Sequence, residues 1–137
     1  MTRLLPLATL LIILLVVAPE TAATTAEQRG YASAYAPGVF REVVNYRLDN
    51  QLWRNIPPSR WIYADGYVAT NDCAQVGLML ELIDPAGEMH DVLVADCGGD
   101  DGGAEWMTRH GIIAELDWEL WQQLTERHGK PLKVGLR

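Results

Sequence analysis

Between Leu78 and Asp96 the chain alternates strictly, turns and alternates again, and this stretch constrains the fold more than any other. Leu78, Leu80 and Leu82 interleave with Met79, Glu81 and Ile83, Asp84-Pro85-Ala86-Gly87 forms a turn, and Met89 to Asp96 returns. Alternation of period two with a proline-glycine connection predicts a β-hairpin. On the second strand that period places Val92, Val94 and Asp96 on one face and Leu93, Ala95 and Cys97 on the other. Asp96 therefore ends an apolar strand and leads into Cys97-Gly-Gly-Asp-Asp-Gly-Gly103, a loop whose glycines predict flexibility.

The flanking segments read in the same way. Gly30 to Gly38 suits a short strand entering a loop at Pro37-Gly38. Phe40, Val44, Leu48 and Leu52 recur at i, i+4 and predict an amphipathic helix over roughly 39–54, stopped by Pro57-Pro58. Tyr63 to Thr70 and Ile112 to Leu116 read as strands. Asp117 is a good N-cap for a helix carrying Trp118, Leu120, Trp121 and Leu124, which Gly129 is placed to end. Leu132, Val134 and Leu136 alternate as a last strand. The predicted class is mainly β, a small barrel or sandwich with one or two inserted or peripheral helices.

The first 23 residues are set apart. Arg3 is followed by an apolar run from Leu4 to Val17 and by Thr21-Ala22-Ala23, the order of a secretory signal peptide. The run is short of the ~20 residues a membrane span needs. The expected organisation is a signal peptide over 1–23, a short linker over 24–29 and one domain over 30–137. The protein is therefore expected to be exported to the cell envelope or beyond, with no membrane association after cleavage. In such a compartment a bridge between Cys73 and Cys97, the only two cysteines, is the default.

Charge narrows the partners. The net charge of −7 breaks into 13 acids and one base between Asp65 and Glu119, flanked by +2 over 24–64 and +3 over 120–137. An acidic chain repels nucleic acid, and a hydrophobic content of 49% is too high for a disordered acidic tail. The acids concentrate around both cysteines.

Order and motifs together resemble the RlpA-like, or expansin-like, double-psi β-barrel family. Gly30-Tyr-Ala-Ser-Ala-Tyr-Ala-Pro-Gly38 matches its opening G-x-A-S-x-Y-x-x-G, and Val76-Gly77 with Leu78 to Leu82 matches its L-G-T-x-V-x-V strand. Val92-Leu-Val-Ala-Asp96 matches the V-x-V-x-D strand that ends in aspartate. Ala114-Glu-Leu-Asp117 is similar to its I-D-L-S step, with Glu115 where the aspartate of expansin-like relatives stands. The family's threonine-alanine-asparagine-glycine stretch is replaced by the 39–58 helix and loop, and its R-G-P after the aspartate is Cys97-Gly98-Gly99. The resemblance implies a six-stranded double-psi β-barrel acting on wall polysaccharide, with peptidoglycan lytic transglycosylases and non-cutting glycan binders among its members.

Asp96 and Glu115 are the candidate catalytic carboxylates. Glycosidic cleavage needs a proton from a carboxyl whose pKa is raised by burial or by a neighbouring carboxylate. The competing readings are a turn cap for Asp96 and a solvated strand residue for Glu115. Trp106, Tyr35 and His110 are the candidate substrate-binding residues: an aromatic face suits a sugar ring, and Trp106 follows the glycine loop closely. Trp53 and Trp61 are further aromatics near element ends, whereas Trp118 and Trp121 are assigned to the core. Asp100 and Asp101 lack calcium-loop spacing. His90, His110 and His128 show no zinc spacing such as H-x₃-H, so neither metal nor cofactor is expected. Three functions stay open: a glycan-cleaving enzyme, a non-catalytic glycan-binding module, and an acidic protein-interaction domain.

Overall fold

The computed structural model describes residues 26–50, 64–98 and 102–137. The segment 1–23, Trp53, Pro57-Pro58, Trp61 and Asp100-Asp101 lie outside the described residues. Six strands run in chain order as β1 (Gln28–Ala34), β2 (Gly66–Thr70), β3 (Met79–Ile83), β4 (Met89–Cys97), β5 (Ile112–Leu116) and β6 (Leu132–Leu136). They close into a barrel in the order β1-β5-β2-β4-β3-β6. The helices are α1 (Val39–Asp49), α2 (Ala104–Arg109) and α3 (Trp118–His128). No described helix is long and apolar enough to cross a membrane.

The hairpin forms as its alternation predicts. β3 and β4 pair antiparallel, with Leu80 opposite Val92 and Leu82 opposite His90. The turn is held by Asp84, whose Oδ1 accepts the backbone N–H groups of Ala86 (2.8 Å) and Glu88 (2.9 Å). Leu78 lies before β3 and is half exposed.

Two apolar clusters divide the molecule. The larger draws on β2 to β6, with Val68, Leu82, Val92, Val94, Leu116 and Leu132 among its members, gains Leu120 and Leu124 from α3, and is flanked by Ala32 of β1. The smaller lies under α1 and joins Phe40 and Val44 to Ala69 and Ala95. Alternate residues of β2 thus serve different clusters, as a barrel covered by a helix requires. Trp118 and Trp121 are not core residues. They are half-buried and stack on each other at 5.5 Å between ring centroids, with Trp121 only flanking the larger cluster.

Three sequence expectations need correction. The helix expected over roughly 39–54 ends at Asp49, because Asn50 caps it through both its backbone N–H and its side chain, which donates to Tyr46 O at 2.7 Å. Its buried face is Phe40 and Val44 continued by Arg47, whereas Leu48 is 39% exposed. Three helices are present rather than one or two, since α2 has six residues, too few for a helical period to show. The face of Asp96 is also misassigned. In the parallel β2·β4 pair Val68 sits opposite Val94 but Ala69 sits opposite Asp96, so Ala95 is the extra residue of a one-residue shift. A bulge of this kind re-aims the residue that follows it. Asp96 consequently leaves the face of Val92 and Val94 and joins Ala69 on the side covered by α1.

The described ends of the glycine loop are close together, whereas residues 99–101 lie outside the described residues. A Cβ on Gly98 would collide with the backbone of Ala104, and one on Gly103 would collide with the carbonyl of Gly98. Both glycines are therefore required by the close approach of the two ends of the loop.

Candidate functional site

Four elements bring polar groups together on the outer face beneath α1. Asp96 arrives from the end of β4, Glu115 from β5, Ser33 and Tyr35 from β1 and the residue just beyond it, and Arg47 from the last turn of α1. Register explains the convergence. Glu115 stands opposite Ser33 on one side and Ala69 on the other, and Ala69 stands opposite Asp96. Residues opposite one another in a ladder share a face.

Each oxygen of Asp96 has a partner. Arg47 Nη2 donates to Oδ1 at 2.9 Å, and the Tyr35 hydroxyl donates to Oδ2 at 3.2 Å. The two members of the ion pair are similarly sheltered, with side chains 21% and 24% exposed. Burial pushes the Tyr35 phenol well above its ordinary value, and the negative charges of Asp96 and Glu115 push it further, against the lowering effect of Arg47. Tyr35 is thus a persistent donor. Glu115 accepts a hydrogen bond from Ser33 Oγ at 3.1 Å. Burial raises its pKa above the usual glutamate value and the Asp96 charge adds to this, and together they outweigh the opposing effect of the Ser33 bond. Asp96, by contrast, is engaged directly by a cation.

Beside Asp96 lies an open cleft of about 380 Å³ lined by Glu42, Val43, Tyr46, Arg47 and Asp96. Tyr46 is 63% exposed and presents an aromatic ring at the rim. Ser33, Tyr46 and Arg47 were absent from the residues that the sequence singles out. Ser33 was legible in the opening motif. Arg47 could have been found from its place at i+3 from Val44 on the buried face of α1.

The remaining candidates fall elsewhere or act structurally. Cys73 and Cys97 form a disulfide that joins the short turn of 3₁₀-helix at Cys73–Gln75 to the end of β4, one residue beyond Asp96. Trp106 lies on α2 and His110 caps its C-terminal end, and their rings pair at 4.6 Å between centroids. The His110 Nδ1 lies 2.7 Å from the Trp106 carbonyl, and Trp106 is 44% exposed. Neither residue makes a hydrogen bond to Asp96 or Glu115 or lines their cleft. Among the described residues, the close grouping of metal-ligating side chains is Asp84, Glu88 and His90, on the hairpin and not in this site.

No family model matches the chain, and neither the curated proteins nor the solved structures give a match.

Proposed function

We propose that the chain is an exported double-psi β-barrel of the RlpA-like or expansin-like kind that acts on cell-wall polysaccharide of the peptidoglycan type, with Glu115 as its acid/base. One observation carries the reading. Asp96 and Glu115 converge on one face, Asp96 lines an open cleft there, and their environments differ. Two carboxyls with dissimilar surroundings are the arrangement from which acid and base roles are assigned. The double-psi reading is supported by the two parallel pairs, β1·β5 and β2·β4, each of which carries a one-residue register shift. Export is supported by the apolar segment and by the disulfide, a bond that persists in oxidising compartments.

In a lytic transglycosylase reaction the Glu115 carboxyl gives its proton to the glycosidic oxygen as the C1–O bond breaks. A hydroxyl of the same sugar then bonds to C1 and returns its proton to Glu115, so no water is consumed. One carboxyl suffices for both transfers, and Asp96, fixed by Arg47 and Tyr35, supplies negative charge near the developing positive charge at C1. Arg47 also eases an electrostatic difficulty. Residues 65–119 carry a net charge of −12, which an anionic wall would repel, and α1 brings a cation from outside that stretch to the cleft.

The full engagement of Asp96 by Arg47 and Tyr35 favours a second reading, a module that holds glycan without cutting it. Cosedimentation with insoluble peptidoglycan, followed by assay of the supernatant, separates the readings. The enzyme is expected to sediment with the wall and to release soluble fragments, and Asp96→Asn to reduce release. Sedimentation without release would leave the binding module. Absence of both, with salt-sensitive capture of a basic protein, would favour an acidic interaction domain.

A further inference from the structure

A second constellation lies at the turn end of the β3–β4 hairpin, where the last turn of α3 reaches it. Asp84 is buried, and while its Oδ1 holds the turn, its Oδ2 faces two imidazoles. His128 Nε2 is 2.8 Å away and His90 Nε2 is 3.7 Å away. His90 follows the inward-facing alternation of Val92 and Val94 and is only 6% exposed. Its Nε2 has no hydrogen-bond partner. Ligand atoms of Asp84, Glu88 and His90 all lie within 4.8 Å of one another. Among the described residues, His90 Nε2 shares this unpaired state only with Arg47 Nε and Gln75 Oε1, and it alone of the three faces a group of carboxylates at ligand distance.

We propose that Asp84, Glu88 and His90 bind a divalent transition-metal ion of the zinc class, with His128 supporting Asp84 through its hydrogen bond. The donor set is one imidazole and two carboxylates. It suits zinc and disfavours calcium and magnesium, which prefer all-oxygen shells. A tetrahedral zinc site with bonds near 2.0–2.1 Å places its ligand atoms about 3.3 Å apart. The Asp84–His90 separation of 3.7 Å is close to that spacing. Asp84 is already oriented through its other oxygen by two backbone N–H groups, the kind of support that metal-ligating carboxylates receive. Glu88 is exposed, and its Oε2 meets Arg127 Nη1 at 3.1 Å, so its other oxygen is the one offered to the ion. All three ligands belong to the hairpin, so the ion braces its turn and its role is structural.

Titration calorimetry of the untagged, EDTA-treated protein with zinc chloride tests the proposal. The expected result is one zinc per chain, a rise in Tm on zinc addition, and no competition from millimolar calcium or magnesium. His90→Gln is expected to weaken binding about 100-fold or more, beyond the 10–100-fold that loss of a supporting contact produces. Glu88→Gln, at an exposed position of the turn, carries the same test should His90→Gln fail to fold. Absence of zinc binding, or equal zinc affinity in the wild type and the folded variants, overturns the proposal and leaves Asp84–His128 as an ordinary hydrogen-bonded pair.

Discussion

Glu115→Gln is expected to lower the release of soluble peptidoglycan fragments at least 100-fold while making the protein more stable at neutral pH. The first effect follows from removing the proton donor, since general acid–base catalysis contributes about 10²–10⁴-fold. The second follows from linkage. Burial and the Asp96 charge raise the folded-state pKa of Glu115, so the folded protein binds that proton more tightly than the unfolded chain does. The ionised carboxylate therefore costs stability at any pH above its folded-state pKa. The cost is relieved as the pH falls through that value and vanishes once both states are protonated, below the ordinary value of 4.5. Glutamine keeps the acceptor for Ser33 and removes the charge. The stability difference between variant and wild type, from urea unfolding, should be positive at pH 7 and should shrink towards zero near pH 4. A solvated surface glutamate would show neither the gain nor its pH dependence.

Removing the disulfide is expected to have the largest effect on stability. The bridge closes a loop with a sequence separation of 24, which on the chain-entropy description contributes about 3.5 kcal/mol. Replacing both Cys73 and Cys97 with Ser should lower the unfolding free energy by about that amount, a large share of the ~5–15 kcal/mol typical of a domain. The bridge also anchors the chain directly after the β4 shift that re-aims Asp96. Its loss should therefore weaken glycan release under conditions where the double variant remains folded. Denaturant midpoints with and without reductant check the first expectation. A reductant-independent midpoint in the wild type would contradict it.

The strands were legible because the barrel needs a continuous inward face, and alternation records that need directly in Leu80–Leu82, Val92–Val94 and Leu132–Leu136. The α3 helix was legible from Asp117, whose side chain accepts the Leu120 N–H at 2.8 Å, and from Gly129 at its end. What alternation cannot record is an interruption. One extra residue at Ala95 moves Asp96 to the opposite face, and nothing in the Val-Leu-Val-Ala-Asp run announces it. Arg47 was hidden for a different reason: hydrophobic counting follows leucine, yet the inner face of α1 continues with an arginine whose charge is met by Asp96. The Asp84–Glu88–His90 grouping was invisible to zinc-type His spacing because its members are a turn aspartate, an exposed glutamate and a single inward-facing strand histidine. Only the folded hairpin brings them together, and α3 then adds His128 to Asp84.

The central claim is that the outer face beneath α1 is a glycan-acting site in which Glu115 moves the proton. Mass spectrometry of the soluble products formed from purified peptidoglycan tests it most directly. Fragments ending in an anhydro sugar are expected, formed without uptake of water by wild-type protein and not by Glu115→Gln. Wild-type protein that releases no fragments, or that releases the same fragments with Gln at position 115, would contradict it.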